Sequence, residues 1–187
     1  AVILPKLSEH IKKNNKDKIK FIQNKALELS LFLSIPAALA LLISSEEVTS
    51  ALFGYGSFDF EAVKNSAKAL FYFSLGLPAY SLTKIFSSFL FARDNTKIPF
   101  YFSLISVITN IILSVYFFND YGFIIIPIAT TISAWINTFL LLAYIKFYNY
   151  FTINESLTIN MIRILLINIL VLLMYSNLIS YFKNFLS

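Results

Sequence analysis

Five long runs of apolar residues, separated by short polar or charged segments, constrain the fold of this chain more than any other feature of its sequence. About 20 helical residues cross the hydrocarbon core of a bilayer, which is about 30 Å thick. Backbone groups in lipid must be hydrogen-bonded within their own segment, and the runs lack the two-residue alternation of barrel strands. Each run is therefore predicted to be a transmembrane helix, at residues 27–44, 67–92, 98–118, 121–145 and 159–180.

The composition agrees with a membrane location. The chain has 187 residues, of which 58% are hydrophobic and 13% charged, whereas a soluble domain carries about 25% charged residues. Residues 1–5 (AVILP) look like the end of a further apolar helix, so the chain is expected to be a fragment. The predicted fold class is an all-α integral membrane protein, a polytopic helix bundle with five full transmembrane helices and the tail of a preceding one.

The connecting segments alternate in charge along the chain. Residues 6–25, from Lys6 to Lys25, hold seven lysines against two acidic residues, a net charge of +5, whereas residues 45–66 carry a net charge of −3. Basic segments of membrane proteins stay in the cytoplasm. Residues 6–25, 93–97 and 146–158 are therefore predicted to be cytoplasmic, in step with five crossings.

The basic segment at residues 6–25 allows two interpretations. Its apolar residues Leu7, Ile11, Ile19 and Ile22 recur at helical spacing, which is typical of a short helical hairpin lying on the anionic lipids of the inner leaflet. The alternative is a solvated basic loop that only sets the topology. Membrane lipids are the expected partners, and no nucleic-acid partner is expected because membrane orientation accounts for the positive charge.

The residues that enzymes use for catalysis are scarce. The chain has no cysteine, four glycines and a single histidine, His10, in the basic segment. A catalytic triad or a histidine metal cluster cannot be built from these residues, and the acidic pairs Glu46/Glu47 and Asp59/Glu61 fall in a solvated connection. The sequence therefore predicts that the protein is not an enzyme.

Three prolines fall inside the predicted spans: Pro36, Pro78 and Pro127, with Gly76 just before Pro78. Each proline removes an internal hydrogen bond and favours a kink. The kinks either shape the helices or serve as flexible points for alternating access.

Five stretches fit one family in the right order. Residues 76–85 (GLPAYSLTKI) and 91–99 (FARDNTKIP) carry the most specific match, and residues 2–8 (VILPKLS), 52–58 (LFGYGSF) and 134–137 (AWIN) extend it. Together they resemble the MurJ/MviN family of lipid II flippases, and the resemblance covers nearly the whole chain.

The resemblance implies transport of lipid II, the lipid-linked peptidoglycan precursor, across the bacterial inner membrane by alternating access. Family members have fourteen membrane helices, so residues 1–187 would form part of the C-terminal lobe, from the end of the eighth helix to the thirteenth. The family's main substrate arginines lie mostly outside this part. The alternatives are another polysaccharide-lipid flippase or cation-coupled exporter of the same superfamily, or a non-transporting membrane scaffold.

Four charged residues are candidates for the substrate pathway or a gate. Lys84 lies about 12 Å inside its predicted span, where it either snorkels or lines a transport cavity. Glu28 stands where some relatives have arginine, and it is expected to pair with Lys25 or with Lys84. Arg93 and Asp94 form either a capped turn or a gate pair.

Three polar residues are a candidate sodium site. Asn110 precedes the predicted turn at Asp120 by ten residues and Thr130 follows it by ten, so both lie at one membrane depth, with Ser114 one helical turn from Asn110. Some members of the family hold sodium between the corresponding helices, but Ser114 replaces an acidic ligand. The alternative is interhelical hydrogen bonding. No cofactor other than this possible sodium ion is implied.

Overall fold

The computed structural model describes residues 3–55 and 59–186, and the regular elements within these ranges are helical, which confirms the all-α prediction. Residues 1 and 2 of the predicted helix tail, and residues 56–58 of one matching stretch, lie outside the described part. The helices are α1 (Ile3–Lys12), α2 (Lys16–Ile43), α3 (Ser45–Phe53), α4 (Phe60–Ser74), α5 (Leu77–Phe91), α6 (Lys97–Tyr121), α7 (Ile125–Phe147) and α8 (Glu155–Leu186).

Three described helical stretches are long and apolar enough to cross a membrane: Lys16–Ile43, Lys97–Phe147 and Glu155–Tyr175. The middle stretch contains both α6 and α7, joined by one turn of 3-10 helix at Gly122–Ile124. Four of the five predicted spans overlap these stretches. The fifth, residues 67–92, is not one continuous helix.

The helices α6 and α7 form an antiparallel hairpin. Asn110 contacts Thr130, and nearer the open end of the hairpin Phe102 packs against Tyr144, with 6.1 Å between ring centroids. The turn lies at Gly122, where φ is +61°, a conformation that favours glycine. The turn predicted near Asp120 is therefore confirmed, with its centre at Gly122, since Asp120 and Tyr121 still belong to α6.

The predicted span at residues 67–92 is broken in the middle, which corrects the sequence-based prediction. The helix α4 ends at Ser74 and α5 begins at Leu77, so Gly76 and Pro78 mark a break. The physical reason is that Pro78 has no N–H to donate to the preceding turn, and its fixed φ suits the start of a new helix. The predicted kink is confirmed here.

Side chains of α7 bind the backbone carbonyls at this break. The Thr131 hydroxyl donates to the carbonyl of Tyr72 at 2.7 Å, and the Trp135 indole N–H donates to the carbonyl of Leu75 at 3.1 Å. A broken helix at membrane depth is tolerated where neighbouring groups satisfy its freed carbonyls. The tertiary structure supplies these partners.

The other two prolines leave their helices unbroken. Pro36 lies inside α2, which runs from Lys16 to Ile43, and Pro127 lies in the first turn of α7. A proline in the first turn removes an N–H that has no partner within the helix anyway.

The basic segment at residues 6–25 is helical apart from its short turn, as the helical-hairpin interpretation requires. The helices α1 and α2 meet at a short turn, where the Asn15 side chain accepts a hydrogen bond from the Lys18 backbone N–H at 3.1 Å. This N-cap satisfies one of the free N–H groups at the start of α2. The segment is therefore not an irregular loop, and its contact with membrane lipids stays a prediction.

The best-packed part of the bundle is the end where the α1–α2 turn, the α5–α6 turn and residues 148–154 meet, which we call the basic end. Its side chains are mostly aliphatic and aromatic, and five of them have no exposed surface: Leu7, Phe89, Leu90, Leu141 and Ile145. Phe151 of the α7–α8 connection packs against Phe89, with 5.9 Å between ring centroids.

In contrast, α6 exposes most of its apolar side chains. Ile108, Ile111, Ile112 and Val115 are between 48% and 72% exposed. A large contiguous apolar surface of this kind marks contact with lipid or with other protein.

Candidate functional site

Five hydroxyl and amide side chains form a polar seam along the contact between α6 and α7: Ser106, Asn110, Ser114, Thr130 and Ser133. The Asn110 side-chain N–H donates to the Thr130 hydroxyl at 2.9 Å, and the Ser114 hydroxyl donates to Asn110 Oδ1 at 3.4 Å. The Ser106 hydroxyl donates to the backbone carbonyl of Ser133 at 2.7 Å. The structure thus brings together the three residues predicted to share one depth.

The donor atoms of the polar seam are engaged with one another. Thr130 accepts from Asn110 and donates to the carbonyl of Ile126 at 2.7 Å. A cation would need the Asn110 amide turned over, so that an oxygen replaced the N–H facing Thr130. The seam contains no carboxylate, and the described residues include no group of three or more His, Cys, Asp or Glu suited to a metal. The seam as it stands is an interhelical hydrogen-bond network.

A cavity of about 380 Å³ lies beside the polar seam. Its walls include Lys84 and Tyr80 of α5, Asn110 of α6, and Asn137 of α7. Asn137 Oδ1 is buried and receives no hydrogen bond within the described part of the chain. The cavity therefore combines a lysine with an acceptor that is free to bind a ligand or water. Sequence reasoning missed Asn137 as a site residue, although it lies in the matching stretch at residues 134–137.

Glu28 pairs with Lys25 and not with Lys84. The distance from Lys25 Nζ to Glu28 Oε1 is 3.1 Å, across one turn of α2. Of the two partners predicted for Glu28, Lys25 is the one that it contacts in the structure. Exposed pairs of this kind stabilise a helix by a few tenths of a kcal/mol, so Glu28 has a modest structural role here.

Arg93 and Asp94 do not pair with each other in this conformation. The Arg93 guanidinium donates to the carbonyls of Phe89 at 2.8 Å and Tyr150 at 2.9 Å, and it lies 4.6 Å from the centre of the Tyr150 ring. Burial lowers the pKa of Arg93 from its ordinary value, yet the group stays protonated at neutral pH. Asp94 is exposed, with a φ of +56°. To form a gate pair, the Arg93 guanidinium would have to leave the Tyr150 carbonyl and bind the Asp94 carboxylate.

Two buried amide side chains of α2, Gln23 and Asn24, bind the α7–α8 connection that Arg93 also contacts. Sequence reasoning missed both residues. Gln23 donates to the carbonyl of Tyr150 at 3.0 Å. Asn24 donates to the carbonyl of Thr152 at 3.0 Å and accepts from the backbone N–H of Asn154 at 3.0 Å. We call Gln23, Asn24 and Arg93, with the carbonyls they bind, the amide clamp. The sequence feature that could have indicated the burial of Gln23 is its spacing, because Gln23 lies four residues after Ile19 on the apolar face of α2.

An all-helical bundle with membrane-length apolar stretches, a broken helix and a half-buried polar seam defines a helical integral membrane protein. A family model described as "Lipid II flippase MurJ" matches residues 1–187. The chain belongs to the lipid II flippase MurJ family.

Individual relatives agree with this assignment. The chain is 34% identical over 144 residues to a probable lipid II flippase MurJ of Rickettsia prowazekii, covering 77% of the chain and 28% of that protein. It is 36% identical over 143 residues to one of Rhizobium meliloti, covering 76% and 27%. A solved structure, "Lipid II flippase MurJ, inward closed conformation", matches with a TM-score of 0.70 and 27% identity, covering 100% of this chain and 44% of that one. The chain thus spans just over a quarter of the length of these curated relatives.

Proposed function

We propose that this chain is part of a lipid II flippase, which moves the lipid-linked peptidoglycan precursor across the bacterial inner membrane by alternating access. The observation that carries this proposal is the match of its full length, with a TM-score of 0.70, to a lipid II flippase in an inward closed conformation. The chain would supply the ninth to thirteenth helices, in the C-terminal lobe of the longer protein.

Lys84 is the residue through which this chain is proposed to act on the substrate. It lines the cavity beside the polar seam, and none of the other residues that line this cavity is charged. Lipid II carries an anionic diphosphate, and the Lys84 ammonium can bind a phosphate oxygen through a charge-assisted hydrogen bond. Lys84 would therefore lower the barrier to moving the charged headgroup past α5.

Flipping of fluorescent lipid II by the full-length protein in proteoliposomes tests the proposal. We expect Lys84→Ala to slow flipping at least about tenfold and Lys84→Arg to retain most of the rate, since about 1.4 kcal/mol of lost charge stabilisation corresponds to a factor of ten. Lys146→Ala is the matched control, because Lys146 ends α7 outside the cavity. Equal, near-normal flipping rates in both Lys84 variants would leave only the snorkelling account. An absence of flipping by the parent protein would favour a scaffold.

The membrane topology is a further part of the proposal. We propose that α2, the broken pair α4–α5, α6, α7 and α8 each cross the membrane, with the basic end in the cytoplasm. Single cysteines in place of Asn15 and Glu47 should then react with a membrane-impermeant reagent from opposite sides. Labelling from the same side would contradict the charge-based orientation.

Sodium is proposed as a ligand of the polar seam, bound by Asn110, Ser114 and Thr130 after the Asn110 amide turns over. A ligand of the folded state stabilises it by mass action, so sodium should raise the melting temperature of the full-length protein in a saturable way. Asn110→Leu should abolish this rise, and Ser114→Asp should enlarge it by supplying the missing negative charge. Identical melting in sodium and potassium, for the parent and for Ser114→Asp, would remove sodium from the mechanism.

A further inference from the structure

One buried acceptor in the cavity beside the polar seam has no donor. Asn137 is only 8% exposed, and its Oδ1 receives no hydrogen bond from the described part of the chain. A buried acceptor without a donor destabilises a fold, so native structures provide a partner for almost every such group. We therefore searched the walls of this cavity for a donor that could reach the Asn137 oxygen.

Most polar side chains that line the cavity are already engaged. Five of them form hydrogen bonds with other protein groups: Thr83, Ser106, Asn110, Thr130 and Ser133. The Tyr80 ring lies with the Thr131 hydroxyl beside Gly76, at the helix break. Thr131 precedes Asn137 by six residues, which is about 9 Å along α7. Lys84 is the remaining donor in the lining, and its ammonium makes no hydrogen bond or ion pair with the other described residues.

The packing of α5 on α7 brings Lys84 and Asn137 to the same level of the bundle. The hydroxyl oxygens of Thr83 and Thr138 lie 2.8 Å apart. Lys84 directly follows the first of these threonines, and Asn137 directly precedes the second. Both residues line the cavity. Since a lysine stem extends about 6 Å, the Lys84 ammonium can turn toward the Asn137 oxygen.

The depth of Lys84 within α5 favours a partner inside the cavity. Lys84 lies seven residues before Phe91, the last residue of α5, which is about 10 Å at 1.5 Å per residue. The stem recovers about 6 Å of this distance, so snorkelling toward the basic end leaves the ammonium short of the helix end. An amide oxygen at its own depth can accept from it directly, and hydrogen bonds from a charged donor are stronger than neutral ones.

We propose that Asn137 is a positioning residue for Lys84. Its amide oxygen accepts a hydrogen bond from the Lys84 ammonium and holds the cation inside the cavity while no substrate is bound. The amide is neutral, so an anionic phosphate binds the ammonium more strongly and displaces it. This role rests on the proposed function of Lys84 in the substrate pathway, whereas the contact itself forms without substrate.

Acylation of lysines in the detergent-solubilised full-length protein tests the contact without lipid II present. Acetic anhydride is the probe, and mass spectrometry gives the rate at Lys84 divided by the rate at Lys146, an exposed lysine at the end of α7. Asn137→Leu keeps the side-chain volume and removes the acceptor. A hydrogen bond from a charged donor corresponds to a factor of about ten or more between held and released lysine, so this ratio should rise at least about fivefold.

Two further variants separate the lost acceptor from a general disturbance of the fold. Asn137→Asp keeps an oxygen acceptor and adds a negative charge, so the ratio should stay at or below that of the parent. Asn168→Leu is the matched control, because Asn168 is 7% exposed but lies on α8 outside the cavity. It should change the ratio less than about twofold. No rise in Asn137→Leu, or an equal rise in Asn137→Asp, would overturn the proposal.

Flipping rates in proteoliposomes then test whether Asn137 acts through Lys84. Asn137→Leu should slow flipping about threefold or more in the parent, and it should have no further effect when Lys84→Ala is present, because two residues that act together are not additive. Slowing by the same factor in both backgrounds would overturn the positioning role. Normal flipping by Lys84→Ala would contradict the proposed function of Lys84, whereas the acylation ratio would still decide whether the contact with Asn137 forms.

Discussion

The two faces of α5 show how one helix serves two different purposes. One face carries Phe86, Phe89 and Leu90, which are at most 3% exposed and pack into the basic end. The other carries Lys84 and Ser88, which line a groove of about 870 Å³ between α5 and α6, the α5–α6 groove. Because residues three or four apart share a helical face, the two sets do not mix. Substitutions on the buried face should therefore cost more stability than substitutions on the groove face.

The basic end also differs from the groove in how its polar groups are used. The amide clamp engages Gln23, Asn24 and Arg93 with backbone groups of residues 150–154. In the groove, by contrast, Lys84 and Lys97 face open space. Polar groups that are hydrogen-bonded within the chain stabilise the fold, whereas charged groups without such partners are available to bind another group. The comparison predicts different outcomes for three substitutions, measured as the free energy of unfolding in detergent micelles.

The largest effect is expected for Phe89→Ala. Phe89 has no exposed surface, and removing a buried phenyl ring costs about 3–5 kcal/mol through lost burial and the cavity left behind. Phe91→Ala on the same helix is the matched control, because Phe91 is 40% exposed at the groove, and it should cost about 1 kcal/mol. Similar losses for both variants would mean that the two faces of α5 are not energetically distinct.

A smaller effect is expected for Asn24→Leu, which keeps the side-chain volume but removes the clamp. The carbonyl of Thr152 and the N–H of Asn154 would each lose a partner, at a cost of about 1–3 kcal/mol. Asn177→Leu is the matched control, because Asn177 is an exposed asparagine of α8. It should change the free energy of unfolding by less than about 0.5 kcal/mol. If the two variants unfold alike, the amide clamp does not stabilise the basic end.

The smallest effect is expected for Trp135→Phe, at the helix break. This change removes the hydrogen bond to the Leu75 carbonyl and retains an aromatic ring, so it should cost about 0.6 kcal/mol, a typical value for interhelical hydrogen bonds in membranes. Trp135→Phe combined with Thr131→Val would remove both bonds to the break. A loss above about 3 kcal/mol in the single variant would make the break, and not the basic end, the more sensitive region.

Much of the local structure could be predicted from the sequence. The helical state of the apolar runs, the break at Gly76 and Pro78, and the approach of Asn110 to Thr130 all follow from properties within a few residues or from one hairpin. The bounds of the elements were less well predicted. The span predicted to end at residue 118 continues as α6 to Tyr121, and the turn near Asp120 is centred on Gly122, where a left-handed φ suits glycine.

Partners distant in sequence could not be predicted. Gln23 lies 127 positions from Tyr150, and nothing local to either residue indicates their contact. The contact of Arg93 with the Tyr150 carbonyl could not be predicted either, because the two residues lie 57 positions apart. Asn137 is buried with a free acceptor only because α5, α6 and α7 leave a cavity there.

The sequence by itself determined that this is a helical membrane protein, because hydrophobic length and proline chemistry act locally along the chain. Its ordered matching stretches determined the MurJ family. The tertiary structure alone decided which polar groups are satisfied and which stay open. Helix packing brings residues 150–154 onto α2 but separates α6 from α5. The angle at which helices pack depends on many side chains at once, so the clamp and the groove emerge only when the whole bundle is assembled.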